Sequence, residues 1–174
     1  MALVCNYNFA MARKLKSTHL DNAGVMRMVD VGGKGITVRE AVASARLRMR
    51  TDVLEAVAEG KTPKGDVFAA ARVAGIQAAK KTSELIPLCH PLRIDKVAID
   101  FELDRARGIV KIKAAVKATE RTGVEMEALV AAAVAALTVY DMCKALQRDI
   151  IIEEIALERK RGGRATYRRK KRIT

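Results

Sequence analysis

Two stretches put titratable side chains beside apolar ones at places where a chain would turn or end a helix: Ile86-Pro-Leu-Cys-His-Pro91, and Thr122-Gly-Val-Glu-Met-Glu127 with its continuation Val139-Tyr-Asp-Met-Cys-Lys144. Asp141 and Lys144 are three residues apart, so on a helix they share a face and form a carboxylate–ammonium pair open to an anionic ligand. An ordinary surface ion pair has the same spacing. Glu125 and Glu127 fall where that helix should begin, and its exposed amides alone explain acids there. Met126 between them suits a flat heteroaromatic ligand with N–H donors. His90 is framed by Pro87 and Pro91 and could carry a proton near neutral pH, although a loop histidine is more often a structural hydrogen-bond partner. Cys89 beside it makes a poor metal pair, because adjacent residues rarely ligate one tetrahedral ion and no second pair has ligand spacing. Lys64-Gly-Asp66 places an ammonium before a helix start, a position for phosphate or proton transfer as well as for a solvated loop lysine. Arg39 reads as a surface charge unless a neighbouring subunit draws it into a cleft. Gly162-Gly163 between Lys160, Arg161 and Arg164 resembles a flexible anion-binding loop, a weak motif.

The elements that must position these groups follow from periodicity. Residues 25–31 alternate weakly and end in Gly32-Gly33, which predicts a first strand. Thr37 and Glu40 have capping-box spacing, and Val38, Ala41, Val42, Ala45, Met49, Val53, Leu54 and Val57 recur at helical intervals, predicting a helix up to Gly60. Asp66 should cap a second helix running to about Leu85. Residues 96–103 and 109–117 alternate around Asp104-Arg-Ala-Arg-Gly108 and predict an antiparallel hairpin. A helix over 125–146, apolar on nearly every side, needs cover on more than one face. A last strand spans 150–157. The order predicts an α+β fold of the ferredoxin-like split βαβ type, an antiparallel sheet with helices on one face and a doubled first crossover.

The 174 residues suffice for one domain: an N-terminal extension over 1–20, a single α+β domain over 21–160 and a basic tail over 161–174. The formal charge of +13 suggests nucleic acid until it is located. Nine of the 33 bases fall in residues 159–174, which hold no acid, leaving 24 bases against 20 acids elsewhere. The excess is therefore a tail, read as solvated and mobile, and not a patch on the fold. A basic RNA-binding module remains the rival reading, but its strands should carry stacking aromatics and these offer Phe101 alone. Three cysteines without a CxxC pair fit a reducing compartment, and the longest apolar run, Ala128 to Tyr140, is 13 residues interrupted by Thr138 and short of a membrane span. The expectation is a cytoplasmic protein.

Taken jointly, Met28-Val-Asp-Val31, Thr37-Val-Arg-Glu40, Lys64-Gly-Asp66, Ala74-Gly-Ile-Gln-Ala-Ala-Lys80, Leu85-Ile-Pro-Leu-Cys-His-Pro91, Thr122-Gly-Val-Glu-Met-Glu-Ala128 and Ala136-Leu-Thr-Val-Tyr-Asp-Met-Cys-Lys144 resemble one family in order: molybdenum cofactor biosynthesis protein C, the cyclic pyranopterin monophosphate synthases. The resemblance runs from about residue 18 to 164. It implies a lyase that rearranges 3′,8-cyclo-7,8-dihydroguanosine 5′-triphosphate to cyclic pyranopterin monophosphate and releases pyrophosphate. By matching motif it implies Asp141, Lys64 and Lys144 as catalytic residues and Leu88, Cys89, His90, Met126 and Glu127 as substrate contacts. Glu125, Arg39, Asp30, Lys160 and Arg164 follow as site-lining groups. It further implies no redox step and a homo-oligomer, a hexamer built as a trimer of dimers with sites between subunits; no cofactor is expected to be required and no residues are expected to hold a metal, while magnesium dependence is left open, since triphosphates usually carry the ion. Where the family commonly shows Gly-Gly-Lys-Ser-Gly, this chain has Gly162-Gly-Arg-Ala-Thr166, which puts Arg164 in the lysine's place.

Overall fold

The structure is a computed structural model and describes residues 24–170; the extension expected over 1–20 lies outside them. The chain divides into two units, Met1–Asp30 and Val31–Thr174. In the described part of the first, the strand expected over 25–31 does not form, and the regular structure there is an isolated bridge at Met26. Val25, Met26 and Met28 are all exposed, so the weak alternation has no face to bury.

The second unit begins with a long strand where a helix was expected. β1 (Thr37–Arg48) precedes the short helix α1 (Thr51–Ala58). Ala41, Ala43, Ala45 and Leu47 are buried at every second position and Val53, Leu54 and Val57 at helical ones, so two periods in succession imitate a single helical one. Pairing on both sides decides the outcome, since β1 lies antiparallel between β3 (Ile109–Glu120) and β4 (Ile151–Arg161). Glu40 caps no helix; it accepts two 2.7 Å bonds from Arg161 across the β1–β4 pair.

After β1 and α1 the chain forms α2 (Val67–Lys80), α3 (Thr82–Leu85), β2 (Ile94–Asp104), β3, α4 (Glu125–Cys143), β4 and β5 (Tyr167–Arg168). Asp66 does cap α2, its carboxylate accepting from Ala69 N at 2.9 Å. The second expected helix breaks at Lys81 into α2 and α3. The sheet runs β2-β3-β1-β4-β5 with every neighbour antiparallel, and helices pack on one face, the α+β arrangement expected. Three helices fill the first crossover, so both chain halves deliver a helix to that layer.

α4 lies across β1, β3 and β4 and against α2. Its length and composition would suit a bilayer, yet Ala128, Ala131, Ala132, Ala135, Ala136 and Val139 are buried in the core. Small residues let the two helices approach closely. A Cβ on Gly75 of α2 would lie 2.4 Å from Ile99 Cδ1, 2.8 Å from the Ala131 carbonyl oxygen and 3.2 Å from Ala135 Cβ. Gly75→Ala is accordingly expected to cost about 1 to 2 kcal/mol by overpacking, although alanine is the better helix former. Urea unfolding of the two proteins checks the sign, and an alanine variant as stable as the parent would refute the tight crossing.

Candidate active site

Lys64 is positioned by a turn. Thr62 Oγ1 donates to the Gly65 carbonyl at 2.5 Å, Gly65 N returns a bond to Thr62 O at 3.2 Å, and Gly65 sits at φ +84°, a conformation that favours glycine. The turn aims Lys64 at the C-terminal end of α4. There Lys64 Nζ donates to the Asp141 carbonyl oxygen at 2.9 Å and to Asp141 Oδ2 at 3.1 Å, while Lys144 Nζ is 2.7 Å from Asp141 Oδ1. A carboxylate in the last turn of a helix opposes the macrodipole; two ammonium groups offset that, and Lys64 also satisfies a terminal carbonyl. Lys144 and Lys64 hold the Asp141 carboxyl below the usual carboxylate range, and Asp141 in turn raises Lys144. All three side chains are 40 to 54 % exposed, open to a ligand.

Cys143 lies buried beneath this cluster. Burial pushes its thiol up to about 11 against the opposing charge of Lys64, so it packs as a protonated apolar group.

A second group gathers at the other end of α4. Glu125 Oε1 is 2.7 Å from Lys160 Nζ, which reaches up from β4 opposite Ala41. Glu127 is buried, 4 % exposed. Burial pushes its carboxyl up to about 7, with neighbouring Glu125 adding to the rise. Cys89 is close enough for the Glu127 charge to act on it: burial first, then Glu127, raises the thiol. The 86–93 loop is tied down by Cys89 N to Ile86 O at 3.0 Å and Arg93 N to Glu120 Oε1 at 3.2 Å. It holds Leu88, Cys89 and His90 half-buried, as is Met126 at the start of α4.

Arg39 differs from its sequence reading as a surface charge. Its Nε and Nη2 donate to the carbonyls of Glu120 and Arg121 at 3.2 and 3.1 Å, so the guanidinium is committed to the end of β3. Gly162 and Gly163, at φ +90° and +75°, cover it; a Cβ on Gly163 would fall 1.7 Å from Arg39 Nη1. The loop read as an anion binder therefore roofs an arginine, and exposed Arg164 follows directly in the same turn.

The structure thus brings Lys64, Asp141 and Lys144 together, and separately Glu125 with Lys160 and Glu127 with Cys89. It does not unite the two groups within one chain: the 16-residue step from Glu125 to Asp141 at the helical rise spans about 24 Å. Asp30 belongs to the first unit. A hollow of about 990 Å3 is lined by all five strands, and of the candidate residues Lys160 alone borders it; most of the others gather at the two ends of α4 instead. Among the described residues, no group of three or more His, Cys, Asp or Glu could hold a metal ion. Sequence reading missed Thr62, which closes with Gly65 the turn that aims Lys64. It also missed Arg121, which ties down the 32–34 segment through the Gly32 and Lys34 carbonyls at 2.5 and 2.6 Å. Thr-x-x-Gly before a helix cap was the one available signal.

A sequence profile described as the MoaC family matches residues 28–163, most of the chain and both clusters. The chain belongs to the MoaC family. Similar proteins named cyclic pyranopterin monophosphate synthase come from Roseiflexus sp. (strain RS-1), 57 % identical over 148 residues covering 85 % of this chain and 94 % of that protein, and from Chloroflexus aurantiacus (strain ATCC 29366 / DSM 635 / J-10-fl), 55 % identical with 85 % and 91 % covered. One from Pelotomaculum thermopropionicum is 55 % identical, with 85 % and 87 % covered. The rival RNA-binding reading gains nothing from the MoaC fold, since Phe101 packs against α2: the Phe68 ring lies 4.8 Å away, tilted by 38°, and the Arg72 guanidinium lies 5.3 Å from the ring.

Proposed function

We infer that this protein is the lyase of molybdenum cofactor biosynthesis that converts 3′,8-cyclo-7,8-dihydroguanosine 5′-triphosphate to cyclic pyranopterin monophosphate and pyrophosphate. Family membership carries the reading, through relatives more than half identical that bear the synthase name. Opening a purine ring and rebuilding a pterin needs ordered proton transfers, and the departing pyrophosphate needs cations. The Lys64–Asp141–Lys144 cluster suits both needs. Asp141 keeps Lys144 charged in the resting protein, so Lys144 enters as an acid or anion clamp and becomes a base after giving up its proton. Glu127, Glu125, Met126, Leu88, Cys89, His90, Lys160, Arg39, Arg164 and Asp30 stand as substrate-contacting or site-lining groups. Glu127 is suited to switch between donor and acceptor near neutrality.

A single small substrate does not bridge the roughly 24 Å between the two ends of α4. We propose that a second copy supplies the missing end, in a ferredoxin-like homo-oligomer, a hexamer of three dimers. Exposed Leu137 and Val73 on the outer sides of α4 and α2 favour that reading. The protein would work in the cytoplasm without a resident cofactor, magnesium entering on the triphosphate. Incubation of the purified chain with the cyclised dihydro-GTP precursor should yield the fluorescent oxidation product of the pyranopterin together with equimolar pyrophosphate. Absence of both products from a folded sample, with and without magnesium, would overturn the assignment.

A further inference from the structure

Glu125 and Lys160 lie 35 positions apart in sequence, and the carboxylate of their 2.7 Å contact lies against Gly123. The Glu125 side chain folds back over Gly123. An ideal Cβ at that glycine would lie 1.9 Å from Glu125 Oε2, 2.6 Å from Cδ and 2.7 Å from Oε1, its three nearest neighbours all belonging to one carboxyl group. Those separations are far inside van der Waals contact. Gly123 does not occupy the left-handed region, unlike Gly162 and Gly163, so alanine would meet no backbone strain there. The collision falls wholly on a flexible side-chain tip.

That tip has one productive place. Val124, at the N-cap of α4, makes no side-chain cap bond, and the carboxylate sits at this helix start, where the exposed amides stabilise negative charge. From there it reaches Lys160, a long side chain on β4 between neighbours Ala41 and Tyr167. A carboxylate displaced by an ångström or more loses a charge-assisted bond of this length, and the lysine regains its rotamer freedom.

We propose that Gly123 is a positioning residue: the space left by its missing side chain seats the Glu125 carboxylate and through it fixes the Lys160 ammonium for an anionic oxygen of the substrate. The ligand part of this statement rests on the functional reading above; the seating does not. The same device recurs at Gly163, whose missing Cβ leaves room for the Arg39 guanidinium, but that glycine also needs its positive φ, so Gly123 gives the cleaner test.

The experiment compares the full chain with Gly123→Ala, Glu125→Ala and the double variant. It reads thermal unfolding, kcat and KM with the cyclised dihydro-GTP, and the acetylation rate of Lys160 by peptide mass spectrometry. Gly123→Ala should melt within about 4 °C of the parent, since the collision falls on a side-chain tip and a single partly buried ion pair is disturbed. Its KM should rise about tenfold, the weight of one bond to a charged group, with kcat changed by less than about threefold. Lys160 should acetylate several times faster. In the Glu125→Ala background the alanine at 123 should add nothing to KM or labelling, because the group it displaces is gone.

Unchanged Lys160 labelling in Gly123→Ala, or effects that add to those of Glu125→Ala, would overturn the proposal. Should Gly123→Ala fail to fold, recovery of folding in the double variant supports the collision with Glu125, and failure of both shows that Gly123 acts on the backbone and refutes it. If Glu125→Ala leaves KM unaltered while labelling responds as expected, the seating stands and the substrate role of Lys160 falls.

Discussion

Asp141→Asn is expected to lower kcat by about a thousandfold while leaving the melting temperature within a few degrees of the parent. The first part follows from what the carboxylate does to its neighbours. It is the shared acceptor of Lys64 and Lys144, at 3.1 and 2.7 Å, so it fixes both amines, and it raises Lys144. An amide keeps the shape, but it has no charge to raise Lys144 and offers one acceptor oxygen in place of two. Misplacing a proton carrier and removing its tuning are each worth one to four powers of ten. The second part follows from exposure, because ion pairs among solvated side chains contribute little to stability. Lys64→Ala should lose activity to a similar extent, since the Thr62–Gly65 turn presents no other cation to Asp141. The pH sign is fixed by the direction of the shift. A depressed carboxyl keeps its pairing above the ordinary carboxylate value and loses it as pH falls through the lowered folded value. This cluster should therefore produce no acid limb in the rate between pH 5 and 7, and any limb there belongs to another group. Retained turnover in either variant, measured by pyrophosphate release on protein shown to be folded, would remove the cluster from the chemistry.

The legibility of this cluster differs among its members. Asp141 and Lys144 were visible from spacing, because three residues on a helix bring two side chains to one face whatever surrounds them. Lys64 was singled out by its place before the Asp66 cap, but its meeting with Asp141 was not legible: 77 positions separate the two, and the turn that joins them relies on a backbone conformation at Gly65 that composition does not announce. Glu125 and Lys160 likewise meet through a sheet register, Ala41 opposite Lys160, which exists after β1 has been placed between β3 and β4. That placement is where the local reading failed. Alanine, arginine and glutamate favour helices intrinsically, and β1 is rich in them, but two flanking strands outweigh a propensity worth tenths of a kcal/mol per residue. The hairpin over β2 and β3, the Asp66 cap and the span of α4 were legible because each is written in contiguous residues. The separation of the two helix ends was also implicit, since a helix of known length fixes its own span. Covering α4 on several sides, inferred from its lack of a polar face, is met by α2 and three strands.

Glu127 supplies the group whose titration should fall in the window left empty by Asp141. Its carboxyl is buried in the first turn of α4 and titrates at about 7, against 4.5 in an unfolded chain. The folded protein therefore holds this proton where the unfolded chain has released it. Stability contributed by the neutral form is intact below about pH 4.5, declines as pH rises and levels off above about 7, the opposite sense to a salt-bridged acid. Over pH 5 to 8 the difference is on the order of 2 to 3 kcal/mol, at about 1.4 kcal/mol per pKa unit. Urea unfolding at several pH values from 5 to 8 should show the parent losing about that much. Glu127→Gln, which mimics the protonated form, should give a profile flatter by the same amount and should be the more stable protein at pH 8. Parallel profiles for the two proteins would mean that the buried carboxyl finds compensation when ionised. Activity should separate from stability in the same series. A group that donates to substrate below neutrality and accepts above it makes the rate change with pH between about 6 and 8, and glutamine, which cannot exchange those roles, should flatten that dependence. Cys89 gives an independent reading of the same charge. Because ionised Glu127 helps hold that thiol up, Glu127→Gln should make Cys89 react faster with a thiol reagent at pH 8 and no faster at pH 5, where both carboxamide and carboxylic acid are neutral.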